Sequence, residues 1–102
     1  MSFWRSLFGF SDNENQHETY DEAVKRATRL LAIHDYEGAF RVLRHAERQQ
    51  HAEGIYWLAC CYWNGTGVRE DASRAMHLWE KASALGYEPA QQKAEEMRKL
   101  MG

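Results

Sequence analysis

The sequence predicts an all-α fold, a short right-handed α-solenoid of two antiparallel helix hairpins followed by a C-terminal capping helix. Apolar residues recur at three- and four-residue spacing along most of the 102-residue chain, which is the period of an amphipathic helix. There is one proline, and the glycines fall mostly between the periodic segments, which favours helix over strand. The apolar pattern also repeats after 36 residues, a spacing typical of stacked helical hairpins.

The first hairpin is predicted from two periodic segments. The first helix runs from about Tyr20 to Ile33, and Asp35 supplies the N-cap oxygen of the second helix. The second helix fades in the polar run that follows Ala46. The apolar faces are Ala23, Ala27, Leu30 and Leu31 on the first helix, and Ala39, Val42, Leu43 and Ala46 on the second.

The second hairpin is predicted in the same way. Its first helix runs from near Ala52 to about Trp63, where the segment from Asn64 to Gly67 ends it because two nearby glycines tolerate backbone angles that a helix cannot use. Asp71 caps the next helix. The inward positions are Ile55, Leu58, Ala59 and Tyr62 on one helix, and Ala75, Leu78, Trp79 and Ala82 on the other, with Tyr62 and Trp79 assigned to the core.

A fifth helix is predicted to end the stack. Gly86 stands where a left-handed C-terminal cap belongs, and Pro89 occupies a first-turn position where its missing N–H costs nothing. The helix continues to about Leu100. Its inward positions are mostly polar, so we expect a capping helix.

The 36-residue shift relates the two hairpins. It places Asp35 on Asp71, Ala39 on Ala75, Val42 on Leu78, Leu43 on Trp79, Ala46 on Ala82 and Gly54 on Ala90. Small residues therefore recur where helices cross closely, and large apolar residues recur where they interlock. One such unit cannot cover its own apolar face, so the units are expected to stack.

The segment from Leu58 to Ala90, LACCYWNGTGVREDASRAMHLWEKASALGYEPA, resembles the Sel-one-like repeat family of the tetratricopeptide superfamily. The matching positions are Leu58, Tyr62, Gly65, Gly67, Val68, Asp71, Ala75, Trp79, Lys81, Ala82, Gly86 and Ala90. Ala59 and Ser83 replace the family's usual Gly and Ala with other small residues. The full resemblance covers about a third of the chain, and the upstream hairpin lacks the Gly-x-Gly-Val loop. We expect residues 1–18 to form an apolar N-terminal tag with a polar linker, and residues 19–102 to form the helical repeat domain.

The resemblance implies a non-catalytic module that binds a peptide or partner protein in a concave groove lined by the first helix of each pair. The residues expected in this groove are Asp21, Val24, Thr28, Leu31, Glu53, Tyr56, Cys60, Trp63, Gln92, Glu96 and Lys99. Tyr and Trp often dominate interface energetics, so a ligand with hydrophobic anchors is expected. The alternative is that Tyr56 and Trp63 pack against a neighbouring helix or against the N-terminal tag.

The tag carries four large apolar side chains at close spacing, which are Phe3, Trp4, Leu7 and Phe8. This segment could fold back on the chain, mediate self-association by entering a neighbour's groove, contact a partner, or remain disordered. It could also insert into a membrane interface, which would make the protein a peripheral membrane-associated scaffold. A stretch so short with one positive charge would bind lipid weakly on its own.

Other functions are disfavoured by composition and spacing. The net charge of −2 gives no reason to expect nucleic acid as a partner, and no segment approaches the length of a membrane span. The five histidines form no metal-binding pair, so no metal or cofactor is expected. Cys60 beside a histidine could make a nucleophile, but no orienting group is identifiable. Cys60 and Cys61 are adjacent and poorly placed for a mutual disulfide, so we expect a reducing, cytoplasmic location.

Overall fold

The structure, a computed structural model, describes residues 18–102 and shows six α-helices and no β-strand in that range. Helix α1 pairs with α2, α4 pairs with α5, and α6 packs on α5. The predicted all-α, short helical solenoid is confirmed. The helices are α1 Tyr20–Ala32, α2 Tyr36–Leu43, α3 Ala46–Gln49, α4 Ala52–Asn64, α5 Ala72–Ala84 and α6 Glu88–Met101. The predicted tag and most of its linker, residues 1–17, lie outside the described residues.

At the starts of four helices a polar side chain accepts a hydrogen bond from a free backbone N–H. The predicted caps are confirmed: Asp35 accepts a hydrogen bond from the Gly38 N–H at 3.0 Å, and Asp71 accepts one from the Arg74 N–H at 3.0 Å. At α1, Thr19 and Glu22 form a reciprocal capping box. These contacts fix where each helix begins.

His51 caps α4, a role that the sequence pattern did not predict. Its Nδ1 accepts a hydrogen bond from the Gly54 N–H at 3.0 Å, and its Nε2 lies 2.6 Å from Oδ1 of Asp21. Because Nδ1 accepts, the ring hydrogen is on Nε2 and is donated to Asp21. The imidazole is half-buried because it bridges the start of α4 to α1.

The second helix was predicted as one continuous element, but the structure divides it into two. Helix α2 ends at Leu43, His45 adopts a ψ of −6°, and the short helix α3 follows. Gln50 then adopts a left-handed conformation with φ 54°, which turns the chain into α4. The other predicted ends hold within a residue or so, and Gly86 has the positive φ expected at the end of α5.

The core is built from small residues at the crossings and large ones between them. Ala27, Ala39, Ala59 and Ala82 are fully buried, and Trp79, predicted as core, is 1% exposed. Tyr62 differs from its core assignment because it is only half-buried. Its ring packs edge to face on Phe40, with 5.8 Å between centroids, and the Arg74 guanidinium lies over it at 5.8 Å. Tyr62 therefore lies at the edge of the contact between the two hairpins.

Two glycines allow the hairpins to approach closely. A Cβ on Gly54 would lie 2.8 Å from the Ala46 Cβ and 3.2 Å from a methyl of Val24, so α1, α3 and α4 meet at this point. Gly67 has a φ of 73°, and a Cβ there would overlap the carbonyl of Tyr36 at the start of α2. The loop after α4 is thus held against the first hairpin.

Glu47 connects the two hairpins electrostatically. Its carboxylate on α3 accepts from Lys81 at 3.0 Å and from Arg74 at 2.5 Å, both on α5. The hydrogen bond from Lys81, reinforced by the charge of Arg74, holds the pKa of Glu47 below its ordinary value despite partial burial. This ion-pair cluster and the Phe40–Tyr62 contact lie on the same side of the second hairpin.

Candidate functional site

Two clefts flank α4. The first, the α1–α4 cleft, has a volume of about 210 Å³ and is lined by Leu31, Tyr36, Trp57, Cys60, Cys61, Asn64 and Thr66. None of these seven side chains carries a charge at neutral pH. An uncharged cleft with large apolar walls suits a hydrophobic anchor, and Asn64 and Thr66 add hydrogen-bonding groups at its rim.

The second, the α4–α6 cleft, has a volume of about 310 Å³ and is lined by Tyr56, Pro89, Gln92, Lys93 and Glu96. Lys93 and Glu96 are neighbours on α6, and their charged groups lie 3.2 Å apart. This cleft differs from the first because it offers charges of both signs and an amide beside one aromatic ring.

Tyr56 and Trp57 separate the two clefts. Their rings meet edge to face with 5.2 Å between centroids, and Tyr56 also packs against Tyr87 at 5.3 Å. Burial is the main cause that raises the pKa of Tyr56 to about 12. The phenol stays neutral at physiological pH, as a tyrosine does at its ordinary pKa, and its hydroxyl can donate a hydrogen bond.

Five of the residues predicted to line the groove lie in these clefts. Leu31 and Cys60 line the α1–α4 cleft, whereas Tyr56, Gln92 and Glu96 line the α4–α6 cleft. Glu53 lines neither cleft. It accepts a hydrogen bond from the indole N–H of Trp57 at 3.4 Å, so it positions a residue that does.

Val24 is placed differently from the prediction, whereas the role predicted for Thr28 stays a prediction. Val24 is 5% exposed and belongs to the core, where it packs at the crossing with Gly54, so it is not available to a ligand. Thr28 is half-buried, and its hydroxyl donates to the backbone carbonyl of Lys25 at 2.8 Å. The carboxylate of Asp21 is hydrogen-bonded to His51. Lys99 is exposed and lines neither cleft.

Trp63 lies apart from both clefts. It is half-buried, and its ring is tilted by 45° against Trp79 with 5.5 Å between centroids. Trp63 therefore packs against the neighbouring helix α5 and is still partly exposed, and its contact with a partner stays a prediction. Of the four apolar or aromatic groove residues Val24, Leu31, Tyr56 and Trp63, Leu31 and Tyr56 line these two clefts.

Trp57 and Tyr36 are cleft residues that the sequence reasoning missed. Trp57 lies four residues after Glu53 and three before Cys60, so it shares their helix face, and this spacing was a usable signal. Tyr36 is the first residue of α2, and its hydroxyl lies 2.6 Å from Nδ1 of His34. Nothing in the periodicity of α2 indicated that its first turn would border a cleft of the neighbouring hairpin.

The titratable groups of the site favour binding over covalent chemistry. Burial raises the pKa of the Cys60 thiol and raises that of Cys61 to about 12. Both thiols are thus kept protonated, and a protonated thiol is a poor nucleophile. Within residues 18–102, no three His, Cys, Asp or Glu side chains come together as metal ligands.

Residues 52–87 match the family model of the Sel1 repeat. This segment, about a third of the chain, is similar to a Sel1 repeat. It comprises α4, α5 and the loop between them, and it thus includes the helix that both clefts share. Sel1 repeats are generally protein–protein interaction modules, and the family is non-catalytic. A search of curated proteins found no match to the chain.

Two further findings bear on the remaining predictions. No helix in the described part of the chain is long and apolar enough to cross a membrane. The predicted contact residues of the tag, Phe3, Trp4, Leu7 and Phe8, lie outside the described residues. Their role stays a prediction.

Proposed function

We propose that this chain is a non-catalytic adaptor that binds a peptide or an extended segment of a partner protein across the two clefts beside α4. The observation that supports this proposal most is the position of the aromatic pair Tyr56 and Trp57. The two rings form the boundary between an uncharged cleft and a mixed-charge cleft, both within reach of one short ligand.

The α1–α4 cleft is the proposed anchor site. Its uncharged lining, with Trp57 and Leu31 as walls, matches the type of pocket that takes a large apolar side chain at the centre of an interface. Asn64 and Thr66 stand at the rim, where they can hydrogen-bond to the backbone of an extended peptide.

The α4–α6 cleft is proposed to bind polar groups of the same ligand. The Lys93–Glu96 pair can contact charges of either sign, and Gln92 offers both a donor and an acceptor. Rim charges of this kind mainly set specificity and the rate of association. We therefore expect a ligand with one aromatic or aliphatic anchor and polar residues on one side of it.

A selection experiment tests the proposal. Peptides of twelve residues, as a rough length for spanning two clefts, are selected from a random library against the intact chain. Asn64→Arg then fills the α1–α4 cleft from its exposed rim without removing any core contact. We expect it to weaken the affinity of selected peptides by at least about tenfold, which is about 1.4 kcal/mol.

Ser73→Arg is the matched control. Ser73 is exposed on α5 and lines neither cleft, so the control adds the same charge elsewhere. We expect it to leave the affinity within about twofold. Equal effects of the two substitutions would mean that net charge, rather than the cleft, governs binding, and the proposed site would be wrong.

We also propose a cytoplasmic location. The support is that both cysteines are free thiols on consecutive positions of α4, where an intramolecular bridge between them would be strained. Fractionation of cells that express the full chain with an added epitope for detection tests this location. Recovery in an oxidising compartment would contradict it.

A further inference from the structure

The first hairpin has an outer face that no described element covers. On this face, α1 and α2 form an open cleft of about 390 Å³, whose lining includes Tyr20, Ala23, Arg26, Arg41, Val42 and His45. Leu30 continues the same stripe along α1 and is half-buried. Ile33, at the end of α1, is 70% exposed. This face of the first hairpin therefore leaves apolar side chains partly open to solvent, beside the ion pair between Arg26 and Glu18.

The corresponding face of the second hairpin is covered. The N-caps Thr19 and His51 show that α1 and α4 correspond at a shift of 32 residues, so Leu30 corresponds to Tyr62. At the 36-residue shift of the following helices, Val42 corresponds to Leu78. Tyr62 packs under Phe40 of α2, and Leu78 is fully buried.

The segment formed by α2 and α3 covers the second hairpin. Its pattern of apolar positions recurs near the N-terminus of the chain. Five residues of α2 and α3 are buried or pack against the core, which are Ala39, Phe40, Val42, Leu43 and Ala46. Thirty-six residues earlier stand Phe3, Trp4, Ser6, Leu7 and Phe10. Four of these five positions are apolar, and three are aromatic.

The length and the charge of the chain between Phe10 and Thr19 both allow residues 3–10 to pack against the first hairpin. Eight residues separate Phe10 from Thr19, and an extended chain of eight spans up to roughly 26–29 Å. The cleft begins beside Glu18 and Thr19 themselves, so it lies within reach. Asp12 and Glu14 in this connection complement the exposed cations Arg41 on α2, Arg44 just after it and Arg48 on α3.

We propose that residues 3–10 of this chain cover the outer face of its own first hairpin, in the place that α2 and α3 occupy on the second. Trp4 packs on Leu30 as Phe40 packs on Tyr62. In this position the segment would act as a cap on the exposed face of the first hairpin. The two clefts beside α4 remain free for a partner.

A double-mutant cycle on the full chain tests this arrangement. Trp4→Ala is measured by thermal unfolding in three backgrounds, which are wild type, Leu30→Ala and Leu31→Ala. Leu31 is the matched control because it is the next residue of α1, is also half-buried, and lines the α1–α4 cleft instead. We expect Trp4→Ala to lower the Tm by about 4–8 °C in wild type and in Leu31→Ala, and by less than about 2 °C in Leu30→Ala.

Each other outcome overturns the proposal. A Tm unchanged by Trp4→Ala in wild type means that the segment covers nothing on the folded chain, and binding of the wild type to phosphatidylglycerol vesicles would then assign it to a membrane. Loss of the Trp4→Ala effect in Leu31→Ala rather than in Leu30→Ala places the segment in the partner cleft. If the Tm change caused by Trp4→Ala grows as the protein concentration is raised from about 5 to about 500 μM, the segment covers the hairpin of a second copy instead.

A direct contact measurement keeps the test decisive where Leu30→Ala fails to fold. In the wild-type chain, nuclear Overhauser contacts from the Trp4 indole to the Leu30 or Val42 methyl groups are expected. They should be absent from a filtered experiment on mixed labelled and unlabelled protein, which detects contacts between copies. Contacts only to Leu31 or Trp57, or no contacts at all, would contradict the arrangement.

Discussion

The rings of Tyr56 and Trp57 meet edge to face, at an angle of 85° and with 5.2 Å between their centroids. Consecutive residues of a helix point about 100° apart, so the two rings open onto different clefts. Trp57 forms a wall of the α1–α4 cleft, and Tyr56 forms a wall of the α4–α6 cleft. One turn of α4 therefore offers two adjoining sites of different chemistry.

Trp57→Ala should remove most of the affinity for a peptide that uses the α1–α4 cleft. Loss of a buried aromatic anchor at an interface typically costs about 2 kcal/mol or more, so we expect roughly 30-fold weaker binding by isothermal titration calorimetry. Tyr56→Phe is the control. It keeps the ring and the contact with Tyr87, and we expect less than about threefold change. Unchanged affinity of Trp57→Ala in a folded protein would exclude Trp57 as an anchor.

His51→Ala should destabilise the fold by about 1–2 kcal/mol, because it removes the N-cap of α4 and the bond to Asp21. His51→Asn is expected to cost less, since a shorter polar side chain can still accept from the Gly54 N–H. Asp21→Ala should cost less than about 1 kcal/mol, because Asp21 is largely exposed. Urea unfolding of the three variants measures these differences. Equal stability of His51→Ala and wild type would show that the cap contributes nothing.

Glu47→Gln should destabilise the fold at neutral pH by about 1 kcal/mol, because the ion pairs to Arg74 and Lys81 are partly buried. The pKa of Glu47 is lowered in the folded state from 4.5, so its stabilisation is present above that pH and is lost as the pH falls through the folded value. The difference between wild type and variant should therefore shrink below pH 4.5, which urea unfolding at several pH values measures.

Glu80→Gln is the matched control for this prediction. Glu80 pairs with Arg98 at 2.8 Å, but both side chains are more than half exposed. A pair of this kind contributes little, and we expect a change below about 0.5 kcal/mol at every pH. If Glu47→Gln and Glu80→Gln behave alike, the cluster at Glu47 does not hold the hairpins together.

Gly67→Ala should be more destabilising than Gly86→Ala. Both glycines have a positive φ, 73° and 100°, and an alanine is strained at either position by about 1–2 kcal/mol. Only at Gly67 would the added Cβ also overlap the backbone of α2, whereas at Gly86 no atom lies within 4 Å. We expect an additional cost of about 1–3 kcal/mol for Gly67→Ala. Differential scanning calorimetry compares them, and equal Tm values would show that the loop does not dock on α2.

Most of the fold was predictable because its signals are local. The caps Asp35 and Asp71, the stop at Asn64–Gly67 and the small residues at helix crossings each act within a few positions of the chain. The division between α2 and α3 was not predictable, since it depends on the backbone of His45 and on the contacts that Glu47 makes with α5. The bridge from His51 to Asp21 was not predictable for a related reason, because Asp21 lies 30 residues earlier. The cap itself is local, but histidine is not among the residue types that usually cap a helix.

The site was only partly predictable because α4 is apolar on nearly every face. Its sequence, AEGIYWLACCYWN, gives hydrophobic periodicity no single direction, so the rotation of Trp57 and Trp63 about the helix axis depends on packing. The rotation predicted for α4 about its axis was then applied to α1, and this placed Val24 in the groove. The spacing of Val24, Ala27 and Leu31 within α1 places them on one apolar stripe, and the structure follows that local pattern for Val24.

The most direct test of the proposed function is to map the bound peptide on the intact chain. Backbone amide and methyl chemical shifts are recorded with and without a library-selected peptide. We predict that the largest changes cluster on Leu31, Tyr36, Trp57, Cys60 and Tyr56, with smaller changes at Gln92 and Lys93. Changes concentrated on the exposed side of α5, at His77 and Glu80, with none at Trp57, would contradict binding at the clefts beside α4.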